Sequence, residues 1–279
     1  MPTLPAARWL LAAALLAGGS ARADDPGAVT LSDPAGDDNG PGEYTYPTDA
    51  VYKPGAFDIT EFKVVPKGDT VEFHVSVKSR IEDPWDSVAW GGNGFSVQMV
   101  AIHVDTDHLK GSGVRDGLPG FNVRFAEDEA WDRVVIVSPQ GPTRVNSEVE
   151  MKAAAVKDRV VVPKITRAAG KTLIAVVETK ALGGPPQPGW GYQVLMQSNE
   201  GFPAKTDLLT RKVNKFEGQH RFGGGTDFDN DPQVLDLLVP PGGDPVKRQH
   251  ELLSKYNRAA TEPKPEDLAV VPMVYPAAK

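Results

Sequence analysis

Val71-Glu-Phe73-His-Val75-Ser-Val77 alternates apolar and polar residues without a break. Successive side chains of an extended chain point to opposite faces, so the stretch reads as a half-buried strand. Val71, Phe73, Val75 and Val77 point inward, and His74 falls on the wet face. The pattern returns in looser form over 57–64, 120–125, 130–138, 144–149, 159–162, 173–177 and 190–196. Residues 95–104 are apolar enough to be buried on both faces. Turn residues separate these short runs, helped by 28 glycines and 25 prolines in 279 residues. Strands do not alternate with helices, which argues against a parallel α/β sheet, and the spacing suits an antiparallel sandwich. One helix is expected over 248–256, with Leu252, Leu253 and Tyr256 on one side. The proline-rich tail, 259–279, reads as loose, although 268–271 has the composition to dock as an extra strand.

The ends and the composition set the class. Arg8, an apolar run from Trp9 to Ala17 and the sequence Ala21-Arg-Ala23 give residues 1–23 the form of an export signal. The expectation is one domain over 24–258 of a bacterial protein, periplasmic or extracellular, with no membrane span in the mature chain. The chain has no cysteine, which rules out disulfides, thiol catalysis and zinc–thiolate sites. A net charge of −7 argues against nucleic acid as a partner. It is compatible with cations and with neutral glycans.

Two acidic, glycine-rich loops carry the chemistry. The first is Asp33-Pro-Ala-Gly-Asp37-Asp38-Asn39-Gly-Pro-Gly-Glu43, where glycines let the backbone turn tightly enough to converge carboxylates. Such a loop either binds a hard cation, Ca²⁺ by its oxygen chemistry, or is a solvated acidic turn. EF-hand spacing is absent. Asp33, Asp37 and Asp38 are the first candidate ligands, with Asp58, Asp105 and Asp107 available to complete the shell. The second loop offers Asp227, Asp229 and Asp231. Carboxylates at such positions also cap turns, and both readings stand at this point.

The aromatic residues suggest a second kind of site. Aromatic faces stack on sugar C–H surfaces while neighbouring polar groups fix the hydroxyls. Trp85 and Trp90 stand in a turn-rich connection and are the first candidates for a platform, followed by Trp190 and Tyr192 at a strand start. Trp131 is a further aromatic candidate. The competing reading is core packing, the commoner fate of tryptophan in a sandwich. No catalytic residues are assigned, because the histidines stand in no nucleophile motif and carboxylates are too abundant for a pair to be diagnostic. Met99 and His103 share one face of a strand and form a possible haem-ligand pair. The C-x-x-C-H attachment motif is missing, and ordinary core filling explains them equally well.

Asp33 through Thr48, then Gly55-Ala-Phe57-Asp58-Ile-Thr, resembles the opening of the glucodextranase C-terminal domain family. Phe222-Gly-Gly-Gly225 through Asp231-Pro-Gln-Val-Leu-Asp236, with Gln249 and Leu252, resembles its close. The resemblance spans about residues 29–256. It implies an antiparallel, all-β sandwich of the jelly-roll or DOMON-like kind, shared with family-nine carbohydrate-binding modules, with a short C-terminal helix. It also implies glycan binding and cell-surface association, in modules that sit beside glycosidase domains. The module is expected to stand alone, without such a domain, so the resemblance by itself does not carry a starch-processing role. The expectation is a non-catalytic, exported carbohydrate-binding module stabilised by calcium. The alternatives are a structural or cell-surface assembly module without a sugar ligand, and a haem-binding DOMON-type domain.

Overall fold

A computed structural model describes residues 27–226 and 230–276. The export segment, Asp227 and Asp229 lie outside the described residues. The first strands are β1 (Val29–Ser32), β2 (Ile59–Lys67), β3 (Thr70–Val77), β4 (Gln98–Asp105), β5 (Val123–Phe125) and β6 (Arg133–Val137). Helix α1 (Pro142–Lys152) follows, then β7 (Val160–Val161), β8 (Ile165–Ala169), β9 (Thr172–Glu178), β10 (Gly191–Ser198) and β11 (Asp236–Leu237). Helix α2 (Pro245–Leu253) and β12 (Ala269–Val271) complete the order.

Two five-stranded sheets form an all-β sandwich. One runs β1-β2-β3-β9-β8 and is antiparallel throughout. The other runs β11-β10-β4-β6-β7, antiparallel except for the parallel pair β6–β7. Strand β3 keeps its alternation: Val71, Phe73, Val75 and Val77 are buried, and His74 meets Glu72 at 2.9 Å on the outer face. Between the sheets, Phe62, Phe73, Val75 and Leu173 face Val100, Ile102, Tyr192 and Val194 in one core. The rings of Phe62 and Tyr192 meet across it at 5.6 Å. Each such side chain removed from water contributes about 1.5–3 kcal/mol.

The second sheet is covered on its other face too. Met99, Ala101, Val134 and Leu195 pack under α1, α2, β5 and β12 in a second core with Val145, Val149, Leu253 and Phe125. Double coverage explains why β4 and β10 are buried at every position.

Several local expectations are corrected. Residues 144–149 are not a strand but part of α1, with Pro142 in its first turn and Val145 and Val149 one helical turn apart against the sheet. Strands β1 and β8 were not anticipated, and β1 precedes the first acidic loop directly. Helix α2 starts three residues earlier than expected, where Asp244 accepts the Lys247 N–H at 3.1 Å. Of the two readings of the tail, docking holds over 269–271, where β12 pairs in parallel with β5, and Val274 beyond it exchanges backbone hydrogen bonds with Tyr192. Among the described residues no helix is long and apolar enough to cross a membrane.

Candidate functional site

The first acidic loop leaves β1 at Asp33 and folds over the end of the sandwich. Gly36, Gly40 and Gly42 all have positive φ. Gly40 donates its N–H to the Leu235 carbonyl at 2.8 Å, and Tyr44 donates its hydroxyl to the Pro232 carbonyl at 2.7 Å. Gln249 of α2 donates to the Asp37 carbonyl, and His250 meets the Asn39 side chain at 3.0 Å. The loop is therefore pinned to the segment leading into β11 and to α2.

That folding brings Asp33, Asp37 and Asp236 together, with one carboxylate oxygen of each inside a 4.8 Å sphere of mutual distance. Asp58 flanks them. Asp37, Asp58 and Asp236 are fully buried, and Asp33 nearly so. Backbone donors position the group: Val239 N–H to Asp33 at 3.0 Å, Gly36 N–H to Asp58 at 2.9 Å, and Leu237 N–H to Asp236 at 2.8 Å. Asp33 Oδ2, both oxygens of Asp37 and Asp58 Oδ1 are buried without a hydrogen-bond donor. Lys78 reaches Asp58 at 3.3 Å from an exposed position. Burial pushes the Asp33 carboxyl up to about 8 and that of Asp37 up to about 7, and the neighbouring carboxylates add to both shifts. Burial drives Asp236 up as well, reinforced by Asp33 and Asp37. Asp38 stands at the side, half-buried, and accepts the Tyr46 hydroxyl.

Of the expected metal ligands, the structure brings Asp33, Asp37 and Asp58 together and adds Asp236, a residue of the closing motif that was not among the candidate ligands. Asp105 and Asp107 do not join them. They form a separate group with Asp132. There Asp105 accepts the N–H groups of Asp107 and His108 and the Tyr275 hydroxyl, while Asp132 accepts from Thr106 and Arg159. These carboxylates cap the turn after β4. Asp231 is saturated too, by Thr226 and by the Tyr256 hydroxyl at 2.8 Å.

The aromatic residues separate into surface and core. Trp85 and Trp90 line an open cleft of about 590 Å³ with Phe202, Gln140, Asn199 and Glu200, and Arg144 and Arg211 complete its rim. Trp90 is 42% exposed and Phe202 90% exposed. Asp83 fixes the tryptophan loop by accepting the Ser87 N–H and hydroxyl, each at 2.9 Å, and the Ser96 hydroxyl. Trp90 Nε1 donates to the Trp85 carbonyl at 3.1 Å. Tyr52 and His220 support the Trp85 indole edge-on, at 6.1 and 5.8 Å. The cleft arginines are already paired: Arg211 to Glu200 at 3.3 Å, and Arg144 to Glu148 at 2.7 Å. Glu200 also takes Arg221 at 3.2 Å. Each rim arginine is held by a glutamate, but Arg211 and Arg221 share Glu200, so the rim keeps a net positive charge beside its hydrogen-bonding groups.

Trp190 and Tyr192 are corrected as ligand-binding candidates. Both are buried in the core between the sheets: Trp190 immediately precedes β10, and Tyr192 lies within it, where the strand is covered on both faces. Trp131 is fully buried and donates its indole N–H to the Asp116 carbonyl at 2.9 Å. His103 packs between Phe125 and Trp131 at 4.9 and 5.4 Å, and Met99 fills the same core, which fits core filling rather than haem ligation. Phe202, Gln140 and Arg211 were missed because they come from irregular segments with no periodic pattern to mark them, and Arg144 because its segment reads as a strand and folds as α1.

An all-β sandwich carrying an open aromatic cleft suits a binding module. The chain belongs to the family described as the C-terminal, SLH-like binding module of glucodextranase, whose model matches residues 28–269. No curated protein matches the chain.

Proposed function

We propose that this protein is a non-catalytic, exported module that holds a neutral glycan, such as a cell-surface polysaccharide, in the cleft between Trp85, Trp90 and Phe202. The observation that carries the reading is a solvent-open aromatic platform whose rim arginines are each anchored by a glutamate. The rings offer stacking surface, while the half-buried Gln140 amide and the exposed Arg144 guanidinium offer hydrogen bonds to hydroxyls. Membership of a binding-module family supports this reading, and the family's SLH-like character supports attachment to a cell surface as its setting. The export signal read in residues 1–23 agrees with that location.

A glycan array tests the proposal. Wild-type protein is expected to bind at least one neutral polysaccharide or oligosaccharide, and Trp85→Ala and Trp90→Ala are expected to lose that signal. Binding to no glycan would favour an assembly module without a sugar ligand. Release of reducing sugar from an α-glucan would overturn the non-catalytic assignment.

A further inference from the structure

Asp37 is fully buried, and neither of its carboxylate oxygens has a hydrogen-bond donor. It faces the carboxylates of Asp33 and Asp236, with ligand oxygens of all three within 4.8 Å of one another. Asp33 Oδ2 and Asp58 Oδ1 are likewise buried and undonated. Buried carboxylates are ordinarily hydrogen-bonded or paired with a cation. The cation at hand, Lys78, contacts Asp58 alone in an ion pair and is itself more than half exposed.

We propose that Asp33, Asp37 and Asp236, with Asp58 beside them, bind a calcium ion that clasps the first acidic loop to β11. The donor set is entirely hard oxygen, which selects Ca²⁺ or Mg²⁺ over softer metals. Calcium accepts six to eight oxygens in irregular geometry, which suits carboxylates drawn from separate chain segments. Magnesium holds near-octahedral geometry and keeps several waters, which a buried carboxylate group accommodates poorly. The remaining oxygens come from backbone carbonyls and water. Asp236 is the residue that makes this a clasp. Its β11 neighbour Leu237 faces the second core, so Asp236 itself is turned between the sheets toward the loop. Its carboxylate also accepts the Ile59 N–H at 2.5 Å, so the ion would tie β1, the start of β2 and β11 into one unit. In a chain without cysteine, this is a cross-link available to the N-terminal loop.

The test is calorimetric titration of CaCl₂ into the full-length, EDTA-treated protein, with thermal unfolding in parallel. One ion per chain is expected, with a rise in Tm of about 5–10 °C at a hundredfold excess over Kd. Asp37→Asn and Asp236→Asn are expected to weaken calcium binding at least tenfold. Asp37→Asn without calcium is expected to melt no lower than calcium-free wild type, because the Asp37 carboxylate accepts no hydrogen bond from another residue. Asp107→Asn, in the separate group, is expected to leave the response unchanged. Absence of binding heat and of any Tm shift in wild type would overturn the proposal, whatever the variants do. So would an Asp37→Asn variant that binds calcium as wild type does, or an equal Tm rise with MgCl₂.

Discussion

Tyr52 meets the indole of Trp85 edge-on, with 6.1 Å between ring centroids. Through this contact the cleft wall rests on the same aromatic cluster that supports the acidic loop. Tyr52 and Tyr46 both pack on Phe222 and Phe57, and Tyr46 reaches Asp38. Phe222→Ala removes the ring these contacts share. It is expected to cost about 3–5 kcal/mol in denaturant unfolding and to weaken ligand binding, although Phe222 lines no part of the cleft. A variant that loses neither would disconnect the cluster from the cleft.

Tryptophans on the two sides of the surface are expected to behave oppositely. Trp90→Ala should leave the unfolding midpoint within about 0.5 kcal/mol of wild type and lower glycan affinity roughly tenfold or more. Trp190→Ala should cost about 3–5 kcal/mol, since Trp190 is buried between the sheets, and should leave the affinity of the remaining folded protein unchanged. Urea denaturation with binding assays on both variants checks the pair.

His103 gives the fold an acid sensitivity. Burial lowers its imidazole from the ordinary 6.5 to about 3. Above pH 6.5 the ring is neutral in both folded and unfolded chains and has no effect on the pH dependence. Between about 6.5 and 3 the unfolded chain takes up a proton that the folded chain does not, so stability falls as pH falls. The slope approaches about 1.4 kcal/mol per pH unit. Tm measured from pH 7 to 4 is expected to fall less steeply in His103→Leu than in wild type. Parallel curves would show that His103 is protonated in the folded protein.

Gly40 sits at φ +59°, and a Cβ there would lie 2.3 Å from the Tyr44 ring. Gly40→Ala is expected to destabilise the protein by more than 1 kcal/mol, roughly, and to weaken calcium binding by displacing the loop. Gly36 also has positive φ but has open space around it, so Gly36→Ala is expected to cost less. Thermal unfolding of both variants, with and without calcium, ranks them.

Much of the sandwich was legible because burial imposes period two on β3 and continuous apolarity on β4. The helix at α1 was not, because Val145 and Val149 stand four apart in a segment whose other residues fit either element. The acidic loop was legible as a group of carboxylates, but its partner Asp236 was hidden in Val-Leu-Asp-Leu-Leu, where a lone acid reads as an interruption in a core strand. An acid in such a run needs a partner, and that signal was available. Trp190 and Tyr192 could not be separated from Trp85 and Trp90 by residue type. What separates them is β10's position, covered by both cores, which follows from sheet order and not from local pattern.

The most direct test is native affinity electrophoresis through gels cast with soluble α-glucans, β-glucans and wall polysaccharides. Wild-type protein is predicted to be retarded in at least one of these gels and Trp90→Ala to migrate there as in a gel without polysaccharide. Unretarded wild type in every gel, or a Trp90→Ala variant retarded as strongly as wild type, would contradict the account.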